Sequence, residues 1–513
     1  MPGPYWRFSY QVMPELPPLA WVARVTPPLI DVRCGASVRR EESGFFEGTW
    51  AGRQELSSIA ESTTVFGSGI VACDGSLLIV PPSHTHDGVY GVRVESGVTV
   101  SNSIVALLVA EQLVLDPAVP YPTIFCEAAR LKVAREDVRS GRLVNSQIKI
   151  PTRSRPVLAF YFENVRVGTD GSPSQVAKPR ERAFTTYADY RQRLIDATRS
   201  LLENGQPYEP VVALSAGYDS TAVAVVASQL GCRQAVTLAS GRSFADGGTT
   251  EDSGRAVAHL LGLECAVLDR LAYQDRADLV EADFLASGMS GEDVVFSAFE
   301  ERLKRTIFLT GFWTGDLWVK SKMYPQPYLP GDFAGCTMTE FRLKNDFIHV
   351  PLPCFAAFPA HDEHPFVKDD DMRPYSIGGD YDRVIPRRLA EEGGLPRGSF
   401  ATTKRAATML LHRSGKAAFA PATVASIEDF ALAEGATATF APRARPGRTS
   451  RGMIRAAYAL RVPRLVAPLE RRRQRAVTFE PRFGTLLFRW AVSVVRPRYR
   501  TLEPPPNSHG TTG

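Results

Sequence analysis

Short apolar strands alternate with helices from about Tyr187 to Thr310, and this alternation constrains the fold more than any other feature of the sequence. Such alternation predicts a parallel sheet covered by helices on both faces. Ligands of these sheets bind at the carboxyl ends of the strands, where the strand order reverses. The expected strands are Pro210–Leu214, Ala235–Ala239, Cys265–Leu268 and Ile307–Thr310, and the expected helices are Tyr187–Leu202, Ser220–Leu230, Glu251–Leu261 and Phe296–Lys304.

The first 170 or so residues have a different pattern, with many short strands and few long helical periods. Two β-hairpins are predicted, one around Asp74-Gly75 and one around Ser96-Gly97. The polar stretch 164–180 is rich in Gly, Ser and Pro, which indicates a linker. One core rarely serves more than about 250–300 residues, so several domains are expected. They are a strand-rich α+β domain over 1–170, an α/β domain over 180–440 and an extension over 441–513.

The C-terminal extension concentrates positive charge. Residues 440–500 contain 16 Arg, no Lys and two Glu, a local charge of +14 in a chain whose net charge is +5, which leaves −9 for the rest. Within it, 483–496 predicts an amphipathic helix with Arg489 and Arg496 on one face. This helix is too short to span a bilayer, and it either lies in an anionic membrane interface or packs on the body of the protein. The last dozen residues are typical of a disordered tail.

Other features narrow the class of protein. No stretch of 18 apolar residues occurs, so no membrane-spanning helix is expected, and residues 1–12 lack the pattern of a secretory signal. Seven cysteines are scattered without any CxxC pair, which argues against a disulfide framework and a zinc knuckle. His84 and His86 have no third metal ligand apparent nearby, and a surface turn is expected there. We therefore expect a cytoplasmic protein.

The turn after the first strand of the alternating region carries the most chemistry. The small residues of SAGYDS, 215–220, let the backbone approach an anion, and free N–H groups at the start of the next helix point at it. Asp219 would be repelled by bare phosphate, so its presence implies a bridging cation, for which Mg²⁺ is suited. No GxxxxGK[ST] motif occurs, which disfavours a Walker-type nucleotide site. The alternative is an ordinary corner in which Ser and Asp cap the helix.

SAGYDS resembles the pyrophosphate loop SGGxDS of the ATP pyrophosphatases, in particular of the synthetase domain of the asparagine synthetase family. Three later segments resemble that family in the same order. TGFWTGD at 310–316 resembles its second loop, SGxGxDE; 339–353 resembles ExRxPxLD…LP; and 381–405 follows YDK…LR…LP…RxK. The order of four elements is more specific than any one of them.

The resemblance implies an adenine nucleotide α-hydrolase-like fold that takes ATP and Mg²⁺. Asp219 and Asp316 would be the metal ligands, and Lys404 would place a cation on the phosphate charge that develops during the reaction. Glu292 and Asp293 could help hold the amine or the substrate, although two acids at a helix start more often interact with the helix dipole. The residues expected to contact the nucleotide are Leu214, Ser215, Ala216, Gly217, Asp219, Ser220, Thr237, Leu238, Gly311 and Gly315.

The sequence also departs from the family pattern. Ala216 replaces a glycine of the first loop, and Leu317 replaces the Glu that usually follows the second aspartate. The segment 44–50, GFFEGTW, resembles part of the family's glutaminase domain, but that domain requires an N-terminal cysteine, and residue 2 is Pro. The N-terminal domain is therefore interpreted as a degenerate glutaminase-like domain.

These features predict an ATP-dependent ligase of asparagine synthetase type. A substrate carboxylate, from a small molecule, a peptide or a glycan, would attack the α-phosphorus of ATP and release pyrophosphate. Ammonia or an amine would then attack the acyl adenylate. The alternatives are a catalytically inactive synthetase-like scaffold and a membrane-associated interaction protein. Binding to nucleic acid through the Arg-rich extension is a weaker option.

Overall fold

The chain folds as a mixed α/β protein, with a strand-rich N-terminal region followed by a parallel sheet. The computed structural model describes residues 5–73, 75–128, 147–169, 171–243, 249–312, 318, 334–356, 365–378, 382–400, 405–409, 411, 415–440 and 481–504. The predictions for Gly315, Asp316, Leu317 and Lys404 lie outside these residues.

Two stacked sheets form the N-terminal region. Their strands are β1 (Arg7–Val12), β2 (Trp21–Thr26), β3 (Leu29–Cys34), β4 (Arg39–Glu41), β5 (Gly44–Trp50), β6 (Val65–Cys73), β7 (Ser76–Val80), β8 (Val89–Val94), β9 (Gly97–Ser101), β10 (Gln147–Ile150), β11 (Val157–Phe160), β12 (Asn164–Val167) and β13 (Pro173–Val176). One sheet has the order β1-β3-β2-β9-β8-β11-β10 and the other β13-β12-β7-β6-β5-β4. Their inward residues, among them Trp21, Phe45 and Ile79, form one buried cluster, as expected for face-to-face packing.

Both predicted hairpins are confirmed, as β6–β7 and β8–β9. The predicted linker over 164–180 is wrong, because β12 pairs with β7 and with β13 inside the second sheet. Val165 and Val167 face the core while Arg166 between them is exposed. This alternation is typical of a half-buried strand, and the polar composition of the segment obscured it.

Helices cover these sheets on their outer sides. The helices α1 (Ile104–Ala110) and α2 (Tyr121–Ala128) contact strands of the seven-stranded sheet. Ser103 caps α1 by accepting a hydrogen bond from the N–H of Ala106. The long helix α3 (Tyr187–Asn204) lies against β5 of the other sheet, where Thr49 donates to the carbonyl of Leu201 at 2.6 Å.

The second part of the chain is built on a five-stranded sheet. Its strands are β14 (Glu209–Ala213), β15 (Gln234–Leu238), β18 (Glu264–Leu268), β19 (Thr306–Thr310) and β20 (Ile348–Pro351). All neighbouring strands are parallel, and their spatial order is β18-β15-β14-β19-β20. The predicted parallel sheet is confirmed, and the boundaries of the four predicted strands differ from the observed ones by at most one residue. Their short apolar runs are typical of strands in a buried parallel sheet.

A smaller antiparallel sheet and further helices surround the parallel sheet. The order of the small sheet is β17-β16-β21, formed by β16 (Ser240–Ser243), β17 (Thr249–Glu251) and β21 (Arg405–Ala406). The helices are α4 (Tyr218–Gln229), α5 (Arg255–Leu260), α6 (Glu281–Leu285), α7 (Glu300–Leu303), α8 (Thr339–Asn345), α9 (Val384–Glu392), α10 (Pro421–Ala433) and α11 (Pro481–Val495). The helix expected over Glu251–Leu261 is shorter than predicted, because β17 and a turn occupy its first residues.

The amphipathic helix of the C-terminal extension is confirmed as α11, and its apolar face packs on the body. Leu487, Trp490 and Val495 are buried, and Trp490 Nε1 donates to the hydroxyl of Ser426 at 3.0 Å. Of the two alternatives for this helix, the structure has the one in which it packs on the body, where the chain itself covers the apolar stripe. None of the helices in the described part of the chain is long and apolar enough to cross a bilayer.

A buried polar layer joins the N-terminal sheets to the parallel sheet. Arg342 of α8 donates to both carboxylate oxygens of Glu47 on β5, at 2.6 and 3.0 Å. Beside this pair, the rings of His84, His86 and His349 form a row with centroids 5.0 and 5.5 Å apart. The expected surface turn at His84 and His86 is thus wrong, because β20 of the parallel sheet packs over it.

Candidate functional site

The SAGYDS loop lies at the topological switch point of the parallel sheet. The chain runs from β14 outward to β15 and β18, and then returns to place β19 on the opposite side of β14. In parallel sheets, the loops that follow two strands at such a point diverge, and ligands bind in the crevice between them. Residues 214–217 follow β14, and Gly311 follows β19. The structure brings these two predicted segments together.

Gly311 sets how closely the two segments approach each other. A Cβ atom at this position would lie 3.1 Å from both the carbonyl carbon of Asp219 and the nitrogen of Ser220. These are backbone atoms of the first turn of α4, so they cannot rotate away as a side chain would. A glycine therefore favours the observed close approach between the end of β19 and the start of α4, since any side chain here would push the two segments apart by a few tenths of an ångström.

The two serines of the loop hold its backbone in place. The N–H of Ser215 donates to Ser220 Oγ at 3.0 Å, and the two hydroxyl oxygens are 2.9 Å apart. The N–H of Gly217 donates to Ser215 Oγ at 3.2 Å, and Ser220 Oγ donates to the Gly217 carbonyl at 3.1 Å. Both side chains are half-buried, and hydroxyls can rotate to donate to an incoming acceptor. The loop is thus preformed, with donors that an anion can recruit.

The start of α4 has the features of an anion site. Gly217 is the N-cap and has no side chain to accept from the first-turn amides. The N–H groups of Asp219 and Ser220 accordingly have no protein acceptor in the described part of the chain. Unsatisfied N–H groups and the helix dipole together favour negative charge at this end.

Ala216 fits the loop without conformational strain. Its φ is not positive, so the methyl group does not force the backbone into a region that favours glycine. Its N–H donates to the carbonyl of Asp252 at 3.0 Å, and Ser215 forms an isolated antiparallel bridge with Ser253. The departure from the family pattern at this position is therefore compatible with the loop's shape.

Asp219, the predicted metal ligand, forms an ion pair with Arg383. Its Oδ2 accepts a hydrogen bond from Nη1 of Arg383. Arg383 is the residue directly before α9. Its Oδ1 is buried and accepts no hydrogen bond from a described residue. Oδ1 remains suited to a cation shared with phosphate, whereas Oδ2 already faces a guanidinium. No group of three or more potential ligands that could hold a metal ion occurs among the described residues.

Thr237 and Leu238 end β15 beside the loop, but Thr237 has a structural role. Its hydroxyl oxygen accepts the N–H of Gly254 at 2.9 Å, and the residue is buried. Leu214 is also buried, and its N–H donates to the Val236 carbonyl at 2.9 Å. Both residues are thus buried parts of the fold, one at the end of β15 and one directly after β14.

Glu292 and Asp293 do not act as simple helix-dipole partners. Asp293 is fully buried and accepts the N–H of Gly335 at 2.8 Å, and the N–H and hydroxyl of Thr337 at 3.0 and 2.7 Å. Glu292 accepts from the hydroxyl of Ser290 at 3.1 Å. Asp293 therefore anchors the chain at 335–337, which disfavours a role in holding the substrate amine.

Sequence reasoning missed Asp252, which lies in the turn between β17 and α5. The residue is only 5% exposed, and burial raises the pKa of its carboxyl to about 6, against an opposing effect of Arg405. Its Oδ1 accepts no hydrogen bond from a described residue. The only signal in the sequence was an acid within a segment expected to be helical, so its contact with Ala216 was not predictable.

Comparison with known proteins adds no family assignment. The sequence matches no protein-family model, and no curated protein is significantly similar to it.

Proposed function

We propose that the chain is an ATP-dependent carbon–nitrogen ligase of asparagine synthetase type. It activates a substrate carboxylate as an acyl adenylate with release of pyrophosphate, and ammonia or an amine then takes the acyl group with release of AMP. The observation that supports this most is the position of the SAGYDS loop. Its half-buried hydroxyls and the open start of α4 lie at the switch point of a parallel sheet of order β18-β15-β14-β19-β20. An adenine nucleotide α-hydrolase-like fold would bind the phosphates of ATP at this point.

In the proposed chemistry, the loop stabilises the negative charge of the pyrophosphate leaving group. The substrate carboxylate attacks the α-phosphorus, and the bond to pyrophosphate breaks as negative charge develops on the leaving oxygen. The amides of α4 and the hydroxyls of Ser215 and Ser220 would stabilise that charge without reorganisation of the loop. Mg²⁺ held by Asp219 and Asp316 would offset the charge of the phosphates. Lys404 would supply a further cation, and the rest of the catalytic effect would come from positioning.

The nitrogen would come from ammonia or an amine rather than from glutamine. Cys34 is buried, and burial raises the pKa of its thiol, which makes it a poor nucleophile. The stacked sheets of the N-terminal region are consistent with a degenerate glutaminase-like domain that has kept a structural role.

A catalytically inactive synthetase-like scaffold is the second candidate. The ion pair between Arg383 and Asp219 favours it, because a guanidinium occupies one oxygen of a carboxylate that the ligase reaction assigns to Mg²⁺. A functional ligase requires Arg383 to move or to share the carboxylate with the metal. In a scaffold, the ion pair would persist in the presence of MgATP.

Product analysis tests the proposal. Purified protein is incubated with MgATP, ammonium and a panel of carboxylates, and the nucleotide products are separated by ion exchange. The ligase should form AMP and pyrophosphate, and Asp219→Asn should reduce this by at least about a hundredfold. The control variant Asp196→Asn removes an exposed carboxylate of α3 that pairs with Arg199. It should form AMP and pyrophosphate at the wild-type rate. Formation of ADP, or full activity of Asp219→Asn, would exclude the proposed reaction, and MgATP binding without turnover would favour the scaffold.

A further inference from the structure

The Asp252 carboxylate is placed between the SAGYDS loop and the small sheet. Its carbonyl accepts the N–H of Ala216 at 3.0 Å, and its own N–H donates to the carbonyl of Ala239 at 3.3 Å. Its Oδ2 lies under Gly241, where a Cβ atom would approach it to 2.7 Å. The side chain is therefore closely packed against Gly241, with Oδ1 buried and without a hydrogen-bond donor among the described residues.

Such an arrangement is costly, because a buried carboxylate oxygen that has lost water and gained no donor destabilises the fold. Buried polar atoms of this kind require an explanation in terms of function or a missing partner. The nearest described cation is Arg405 of β21, whose Nη1 is 4.0 Å from Asp252 Oδ1. This distance gives electrostatic attraction but not a hydrogen bond.

Most N–H donors of the Arg405 guanidinium have no acceptor among the described residues. Its backbone is fixed because β21 pairs with β16, with Arg405 opposite Ser243. Nη1 donates to the carbonyl of Glu251, the residue before Asp252. A guanidinium has five N–H donors, and the described residues supply an acceptor only to this one. The side chain is 28% exposed, so its remaining donors are accessible to a ligand.

We propose that Arg405 is an additional anion-binding residue of the phosphate site, and that Asp252 is a positioning residue that keeps its guanidinium turned toward the loop. The inference rests on the proposed function, since it assumes that the loop binds pyrophosphate. The planar fork of an arginine matches two phosphate oxygens at once, which a lysine cannot do. Asp252 restricts where the flexible side chain can point, and it offsets the charge of Arg405 while the site is empty.

Arg405 differs from the cation that the family resemblance assigns. The resemblance places the reactive cation at Lys404, whereas Arg405 follows it and has no counterpart in the RxK pattern. Arg405 reaches the Glu251 carbonyl and approaches Asp252 from its own position in β21, opposite Ser243 of β16. The proposal thus concerns a feature of this chain's own geometry around β21.

Calorimetric titration of the full chain with pyrophosphate in the presence of Mg²⁺ tests the pair. Arg405→Gln should weaken binding by roughly tenfold or more, as expected for loss of charged hydrogen bonds, and Arg405→Lys should recover only part of it. Asp252→Asn should weaken binding by a smaller factor. Because Asp252 is inferred to act through Arg405, the double variant should bind no more weakly than Arg405→Gln alone. Arg397→Gln, which removes a cation paired with Glu391 on α9, serves as the matched control.

The titrations distinguish failure of the proposed function from failure of the roles proposed for Arg405 and Asp252. If the wild type does not bind magnesium pyrophosphate, both the proposed function and the pair are excluded. If the wild type binds and Arg405→Gln binds equally well, only the pair is overturned. If the effects of Asp252→Asn and Arg405→Gln add in the double variant, Asp252 acts on the loop through Ala216 and is not a positioning residue for Arg405. Thermal unfolding without ligand checks that each variant is folded, and Arg405→Gln keeps the test valid if Asp252→Asn does not fold.

Discussion

Single small residues determine the width of the candidate phosphate site. Gly311 lets the end of β19 touch the first turn of α4, and Gly217 leaves the amides of that turn without a capping side chain. Ala216 shows the limit of this requirement, because its φ is not positive and a methyl group is tolerated there. At the residue scale the site is therefore specified by where side chains are absent, as much as by the hydroxyls and Asp219.

We expect Gly311→Ala to reduce affinity for magnesium pyrophosphate by about tenfold or more. The added Cβ would press on backbone atoms of Asp219 and Ser220 at 3.1 Å, so the start of α4 must move by a few tenths of an ångström. Overpacking of this kind costs about 1–3 kcal/mol of stability. The measurement is calorimetric titration combined with urea unfolding.

Gly398→Ala is the control for this substitution, because a Cβ atom at that position has no neighbour within 4 Å. It should change neither affinity nor stability appreciably. Unchanged binding by Gly311→Ala would mean that the close approach of β19 and α4 is not needed for the anion site.

At the scale of elements, α11 shows how a basic, amphipathic helix can be part of the core. Its hydrophobic stripe contacts α2, α6 and α10, and its exposed side retains the charge. Arg489 pairs with Glu434 at 2.6 Å. After α11 the chain continues as a 3₁₀ segment, Arg496–Leu502, in which Tyr499 is buried and donates to Glu340 Oε2 at 2.6 Å. The C-terminal extension thereby ties α8 and α1 to the rest of the fold.

Trp490→Ala should destabilise the protein by about 3–5 kcal/mol, the usual loss for removing a large buried aromatic residue. The indole is 1% exposed and also donates to Ser426. Guanidinium unfolding should show a lower midpoint concentration of denaturant for this variant, while Ser493→Ala on the exposed side of α11 should unfold at the same concentration as the wild type.

The wild type should not float with anionic vesicles, because the apolar face of α11 is buried against the body of the protein. Clear flotation would restore the membrane-facing interpretation of this helix.

At the scale of the whole molecule, a buried polar layer forms the junction between the N-terminal sheets and the parallel sheet. Burial holds the pKa values of His84 and His349 well below their usual range, and it lowers the pKa of His86 to about 4. Nearby positive charges on Arg342 and Lys178 also disfavour protonation of His84. Asp87 is the counter-charge that opposes the shift at His86, and it lies 3.4 Å from Arg342. Burial at this junction therefore favours neutral imidazoles.

Stability should fall as the pH is lowered from about 6.5 toward 4. In this window the unfolded chain binds protons at these histidines and the folded chain does not, so the free energy of unfolding decreases with decreasing pH. The contribution of His86 alone is at most about 1.4 kcal/mol per pH unit. Urea unfolding at pH 7.5 and pH 5 measures the loss.

His86→Gln provides the comparison, because it keeps a polar side chain of similar size but cannot bind the proton. This variant should lose less stability between pH 7.5 and pH 5 than the wild type does. An identical loss in both proteins would show that acid sensitivity arises elsewhere in the molecule.

Local sequence patterns determined the elements and the loop of the site. The hairpin at Asp74-Gly75 followed from a turn pair that tolerates positive φ, and Gly75 has a φ of 73°. The hairpin at Ser96-Gly97 followed from the alternation of the two segments that flank it. The strand, small-residue turn and helix around SAGYDS followed from hydrophobic periodicity and capping, which act over a few residues. Polar composition misled at 164–180, where alternation with a period of two was the better guide.

Tertiary structure alone decided which elements meet. The order of the parallel strands, which brings Gly311 to the backbone of Asp219, is not encoded in any single segment. Arg383 pairs with Asp219 across 164 residues, and His86 stacks on His349. Periodicity and turn chemistry depend on neighbours along the chain, whereas burial, ion pairing and shifted pKa values depend on neighbours in space. The sequence therefore determined the loop that could bind an anion, and the packing of β16, β17 and β21 decided which additional charges surround it.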